Sequence, residues 1–370
     1  MAEVGRAPLA TAAERAAAAA PRPFSRPRTF LRVGAGLLGI FVFVFALEVI
    51  KSGARGLVPV LEQFDVSGAA NATGFGWLFA YVVLSGSPVA AIGVSLLAGG
   101  AFSESEAFAV IAGSRLGASF IVLAVGFVYF LARRRNADGL YIGVVALLTT
   151  FTTQGPALLL GLVSLHYGWL EGVSISTPAS LLDLTDAVYG RWVTLLNDML
   201  PRGLVFAAGV GILLASFAIF DRALPQLEGE AQGIARALHF LNRRPLMFLL
   251  GAAVTLTTLS VAISITVLVP LSLKGYLKRE HIIPYIMGAN ITTFIDTLFA
   301  SVLLGGHTAF VVVLTEMASV AAVSLVLLTL LYRPYAATIL RAAGWTTARP
   351  RHLAIFLAAI VAAPAFLLLP

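Results

Sequence analysis

The chain has 370 residues, of which 59% are hydrophobic and only 12% charged, and its mean hydropathy is +0.93; an average soluble domain carries roughly 25% charge. This excludes an ordinary soluble domain and points to an integral membrane protein. The net charge of +7 sits in short basic clusters between apolar spans, where it sets topology rather than binding nucleic acid.

Two further classes fall away on composition. The chain has no Cys, which removes disulfides, thiolate metal sites and a cysteine nucleophile, and its five His lie scattered without the helical pairing of a zinc site. No nucleophile with an adjacent base is visible either, so the chain is not read as an enzyme.

Residues 1–28, rich in Ala, Arg and Pro, lack an apolar core and read as a disordered cytoplasmic tail. The apolar run from Val33 to Ile50 is followed by no clear small-residue cleavage site, so it reads as a retained first helix and not a signal peptide. Further spans are expected at 116–132, 140–164, 203–220, 291–304, 308–331 and 353–369, each judged against the ~20 residues that cross a bilayer. The stretches 72–100 and 246–273 are interrupted instead, by Ser85-Gly86-Ser87-Pro88 in one and by Ser260, Ser264 and Pro270 in the other. Pro removes a backbone donor and clashes with the preceding turn, so a long helix through Pro88 is disfavoured.

The distribution of basic residues decides how these two stretches sit. With both as re-entrant hairpins and the N-terminus in the cytoplasm, twenty of the 25 Lys and Arg fall inside. Four fall outside (Lys51, Arg55, Arg191 and Arg202), and Arg115 lies within a span. Making only the first stretch cross the membrane would put Arg133 to Arg135 outside. The expected architecture is therefore an all-α polytopic protein of the cell membrane. It comprises a first repeat over 29–165, an extracytoplasmic loop over 166–202 and a second repeat over 203–331. A cytoplasmic loop over 332–352 and a last helix over 353–370 complete the chain.

The two interrupted stretches are related. Ser85 precedes Gly113 by 28 residues and Ser260 precedes Gly288 by the same 28. Acidic Glu104 and Glu106 follow the first hairpin, whereas Lys278 and Arg279 follow the second, so the repeats read as inverted in topology. Inverted repeats with broken helices place a substrate site at their interface and can exchange conformations across it.

Gly288-Ala289-Asn290-Ile291-Thr292-Thr293 resembles the Gly-Ala-Asn-Ile-Gly-Thr-Thr signature of the type II sodium/phosphate cotransporter family. The resemblance covers roughly 33–331. It implies a Gln-Ser-Ser motif at each hairpin tip, transport of phosphate, and sodium as the coupling ion. This chain departs from the pattern in two ways: Leu84 and Leu259 stand where the family has Gln, and the first signature reads Gly113-Ser114-Arg115-Leu116-Gly117-Ala118-Ser119, with Arg in the Asn slot.

The candidate site follows from chemistry and resemblance together. Ser85, Ser87, Ser260 and Ser264 lie at helix breaks, where hydroxyls and unpaired N–H groups favour an anion; equally, such residues bond back to the preceding turn or join helices. Arg115 offers a planar fork suited to a tetrahedral oxyanion, stands in for a coupling cation, or pairs with Asp296 or Glu316. Asn290, Thr292, Thr293, Asp296 and Ser119 are the candidate ligands for a coupling ion, and Gln154 is a candidate replacement for the missing hairpin glutamines. Glu48, near a helix end, is expected to snorkel.

The expected function is secondary transport of a small inorganic anion, phosphate first, coupled to sodium or protons. The expected partners are that anion and membrane lipid, with no cofactor beyond Na+. The alternative is a membrane scaffold or regulator that retains the fold without transporting.

Overall fold

The computed structural model describes residues 26–59, 68–132, 138–173, 178–223, 243–266, 268, 279–304 and 306–369. Among these every regular element is helical. Helix α1 (Arg26–Gly53) runs into a short 3-10 turn at Ala54–Gly56. It is followed by α2 (Gly68–Val83), α3 (Gly86–Ala98), α4 (Glu104–Ala118), α5 (Phe120–Ala132) and α6 (Asp138–His166). Next come α7 (Ala179–Thr185), a π-turn at Asp186–Gly190, α8 (Arg191–Met199) and α9 (Arg202–Ala223). The remainder comprises α10 (Arg244–Thr258), α11 (Val261–Thr266), α12 (Arg279–Thr292), α13 (Phe294–Leu303), α14 (His307–Thr329), α15 (Tyr332–Ala348) and α16 (Pro350–Leu367).

Seven stretches of the described residues are long and apolar enough to cross a membrane: Val33–Gly56, Glu104–Val128, Gly139–His166, Arg202–Phe220, Arg279–Leu303, His307–Thr329 and Pro350–Leu367. Two of them begin well before the expected 116 and 291. The glycine-signature segments are themselves helical, and only Ser119 or Thr293 separates each from the helix that follows.

Three expectations change. The segment 332–352, read as a loop, is largely α15, whose buried residues Tyr332, Ala336, Ile339, Ala343 and Thr346 recur at helical spacing. Its mean polarity hid that stripe. The loop 166–202 holds α7, the π-turn and α8. Helix α1 starts at Arg26, inside the segment read as a tail. The rest of that tail, Arg133 to Arg135, Pro270, Lys274 and Lys278 lie outside the described residues.

The described residues of both interrupted stretches form two helices joined at a break. Between α2 and α3 the break is Leu84-Ser85, with Leu84 at φ 54°; between α10 and α11 it is Leu259-Ser260, with Leu259 at φ 49°. These are the only non-glycine residues with positive φ among those described. A left-handed backbone costs an L-residue roughly 1–2 kcal/mol, so surrounding packing must hold both.

That packing is also matched. Helix α2 lies against α4 so closely that a Cβ on Gly113 would overlap the Thr73 carbonyl, and one on Gly76 the Val110 carbonyl. Helix α10 lies against α12 in the same way, with Gly288 on the Phe248 carbonyl and Gly251 on the Tyr285 carbonyl. Each residue of the second set stands 175 positions after its counterpart (288 less 113, 248 less 73).

The core has two parts. One gathers Leu47, Ile92, Phe108 and Val312 from α1, α3, α4 and α14; the other gathers Leu147, Tyr285 and Ile339 from α6, α12 and α15. Large apolar side chains such as Leu38, Phe41, Val361 and Phe366 face outward, as expected where lipid replaces water.

Candidate functional site

A cavity of about 420 Å³ opens where the two breaks meet, within the ~300–1,000 Å³ typical of small-molecule sites. From the first break it is lined by Leu84, Ser85, Gly86 and Ser87, and from the second by Leu259, Ser260 and Ile263. Arg115 and Ala118 of α4, Asn290 of α12 and Thr293 just beyond it close the same space, and Phe217 with Leu214 of α9 forms an apolar wall. The first break can approach α4 because Gly86 has no side chain: a Cβ there would stand 2.8 Å from both the Ala118 Cβ and the Ser114 carbonyl oxygen.

Arg115 organises the polar side. It is 6% exposed, and its guanidinium donates through Nη1 to Thr293 Oγ1 at 3.2 Å and to Ser87 Oγ at 3.5 Å, and through Nη2 to Thr297 Oγ1 at 2.8 Å. Asp296 Oδ1 lies 3.8 Å from Nη2 and accepts a hydrogen bond from Thr297 at 2.8 Å, so Thr297 bridges the pair. The Phe294 ring sits 4.6 Å from the guanidinium carbon, a cation-π contact that suits a charge removed from water. Arg115 lies near the middle of the stretch Glu104–Val128, which is long enough to cross a membrane; a charge at the centre of a spanning helix costs at least ~2.5–3.5 kcal/mol on insertion scales, and contacts of this kind would offset it.

A second polar cluster lies behind the cavity. Glu316 of α14 is fully buried and accepts a hydrogen bond from Gln154 Nε2 of α6. Among the described residues Glu316 Oε2, Asp296 Oδ2 and Arg115 Nε have no hydrogen-bond partner. Unpaired buried polar atoms are costly and call for an explanation. Among the described residues no group of three or more His, Cys, Asp or Glu converges as a metal site.

The structure therefore divides the sequence-derived candidates. Ser85, Ser87, Arg115, Ser260, Asn290 and Thr293 line one cavity. Asn290 also donates to Thr150 Oγ1 at 3.0 Å, tying α12 to α6. Five candidates stand apart from the lining. Ser264 contacts the Tyr285 hydroxyl at 3.0 Å, Ser119 donates to the Leu116 carbonyl at 2.7 Å, and Thr292 donates to the Ala252 carbonyl at 3.0 Å. Asp296 reaches the cavity through Arg115, and Gln154 faces Glu316.

Sequence reasoning missed Thr297 and the α9 wall. Thr297 lies one turn beyond the signature on the face of Thr293, a spacing that could have flagged it; nothing in the apolar run of α9 marks Phe217. Glu48 pairs with Lys51 at 3.7 Å, near the end of α1.

No protein-family model, no curated protein and no solved structure matches this chain.

Proposed function

We infer that the protein is a secondary active transporter of a small inorganic anion, phosphate first, working by alternating access of two inverted repeats whose re-entrant hairpins are the α2-α3 and α10-α11 units. The observation that carries this reading is the single cavity lined by both left-handed breaks, with Arg115, Ser87, Ser85 and Ser260 around it. Hydroxyls and a guanidinium fork supply the donors with which a tetrahedral oxyanion exchanges its water. The matched glycine contacts support two copies of one unit. The resemblance of residues 288–293 to the sodium/phosphate cotransporter signature favours phosphate.

Coupling to sodium or to protons follows from different parts of the site. Asn290 and Thr293 supply oxygens for a cation, but Arg115 donates directly to Thr293, so a metal ion there meets a like charge. Buried Glu316 with Gln154 offers a place for a proton instead. A second reading, a membrane scaffold or regulator that does not transport, is favoured by the engagement of Arg115 with Ser87, Thr293, Thr297 and Asp296.

Uptake of radiolabelled phosphate into proteoliposomes, under a sodium gradient, a pH gradient or neither, separates these readings. Accumulation under one gradient alone supports transport and names the coupling ion. A folded, monodisperse protein with no flux under any gradient refutes transport in favour of the scaffold.

A further inference from the structure

A second cavity, of about 500 Å³, lies at the ends of α1, α3 and α9, away from the one between the breaks. Its lining includes Lys51, Arg55 and Arg202, against a single carboxylate, Glu48. Lys51 is 3.7 Å from Glu48, whereas among the described residues neither Arg55 nor Arg202 has an ion-pair partner. These are three of the four basic residues that the charge distribution assigns to the face with few cations. Where basic residues are scarce, their convergence on one pocket calls for an anion.

The level of the pocket identifies the kind of anion. The stretch Val33–Gly56 ends here and Arg202–Phe220 begins here, so the pocket lies where apolar spans give way to polar chain. Helix α8 contributes Asn197, whose Oδ1 accepts from Ser52 Oγ at 3.1 Å. No residue of α8 is buried, yet Trp192, Leu195 and Met199 form one apolar face with exposures of 59%, 47% and 70%. A short amphipathic helix presenting Trp beside span ends is suited to the headgroup boundary of a bilayer. Basic pockets between membrane helices at that depth suit phosphate-bearing lipid headgroups.

We propose that this pocket binds the phosphate of an acidic phospholipid headgroup, with Lys51, Arg55 and Arg202 as its ligands and α8 lying along the adjacent lipid surface. Three cations against one carboxylate favour a lipid with net negative charge over a zwitterionic one. The site is separate from the transport cavity and does not depend on transport.

The test is native mass spectrometry of the full-length protein in detergent, titrated with phosphatidylglycerol or phosphatidylcholine, with millimolar inorganic phosphate as competitor. Phosphatidylglycerol should bind about tenfold or more tightly than phosphatidylcholine, and Arg55→Gln with Arg202→Gln should remove that preference without changing the melting temperature in lipid-free detergent. Lys51→Gln alone should weaken binding about fivefold, which keeps the test open should the double variant fold poorly. Equal binding of the two lipids, an unchanged preference in the folded variants, or displacement of the lipid by inorganic phosphate would overturn the proposal.

Discussion

Arg115 is the residue on which the cavity's chemistry turns, because it is at once a lining group and the partner of Asp296. Truncating one member of a buried pair strands the other, at a cost of about 3–5 kcal/mol. Arg115→Asn should therefore lower the melting temperature, and Arg115→Asn with Asp296→Asn should restore it, as read by thermal unfolding in detergent. Phosphate uptake should stay lost in both; recovery of uptake in the double variant would reduce Arg115 to a structural partner. Glu316→Gln is a gentler change, since it keeps the shape of a fully buried side chain that faces Gln154. It should abolish the response of uptake to an imposed pH gradient while leaving phosphate binding, measured by calorimetry, within about twofold of the parent, because no donor of the cavity is altered. A retained pH response would move the proton elsewhere.

At the scale of elements, the close glycine contacts make a symmetrical prediction. Gly113→Ala and Gly288→Ala each push a methyl into a backbone carbonyl, Thr73 in one case and Phe248 in the other. Each should destabilise by about 1–3 kcal/mol, and a much smaller effect in one copy would break the equivalence of the two packings. Much of this level was legible in the chain: seven stretches of membrane-spanning length, two of them expected to start about three turns too late, the breaks at Ser85 and Ser260, and the relation between Gly113 and Gly288 all follow from hydropathy, polar interruptions and spacing. What remained hidden is physically of another kind. Helix α15 escaped because its stripe from Tyr332 to Thr346 is amphipathic with low mean apolarity. The pairing of Gln154 with Glu316 joins residues 162 positions apart, and no local pattern encodes such a contact. The left-handed turns at Leu84 and Leu259 were also unreadable, since Leu is a residue that local preference keeps out of that region.

For the whole molecule, the proposed inversion of the repeats predicts opposite exposure of their corresponding ends. The absence of native Cys makes the measurement direct: Ser105→Cys, on the exposed first turn of α4, and Glu280→Cys, on the exposed first turn of α12, can each be labelled in intact cells with an impermeant thiol reagent. Ser105→Cys should react and Glu280→Cys should not; reaction of both from one side would remove the inversion. The grip on Arg115 carries an electrical implication. If the protein transports an anion as proposed, a guanidinium held by Ser87, Thr293, Thr297 and Asp296 stays with the protein when the anion leaves, whereas a free ion travels with it. A fixed cation can therefore attract an anion but cannot balance the current that the anion carries. Each uncompensated negative charge delivered to an inside-negative compartment works against about 2.3 kcal/mol per 100 mV. Phosphate entry into vesicles clamped with valinomycin should accordingly slow as the interior is made more negative, unless mobile cations accompany each anion in matching number, and the voltage at which net flux reverses would count them.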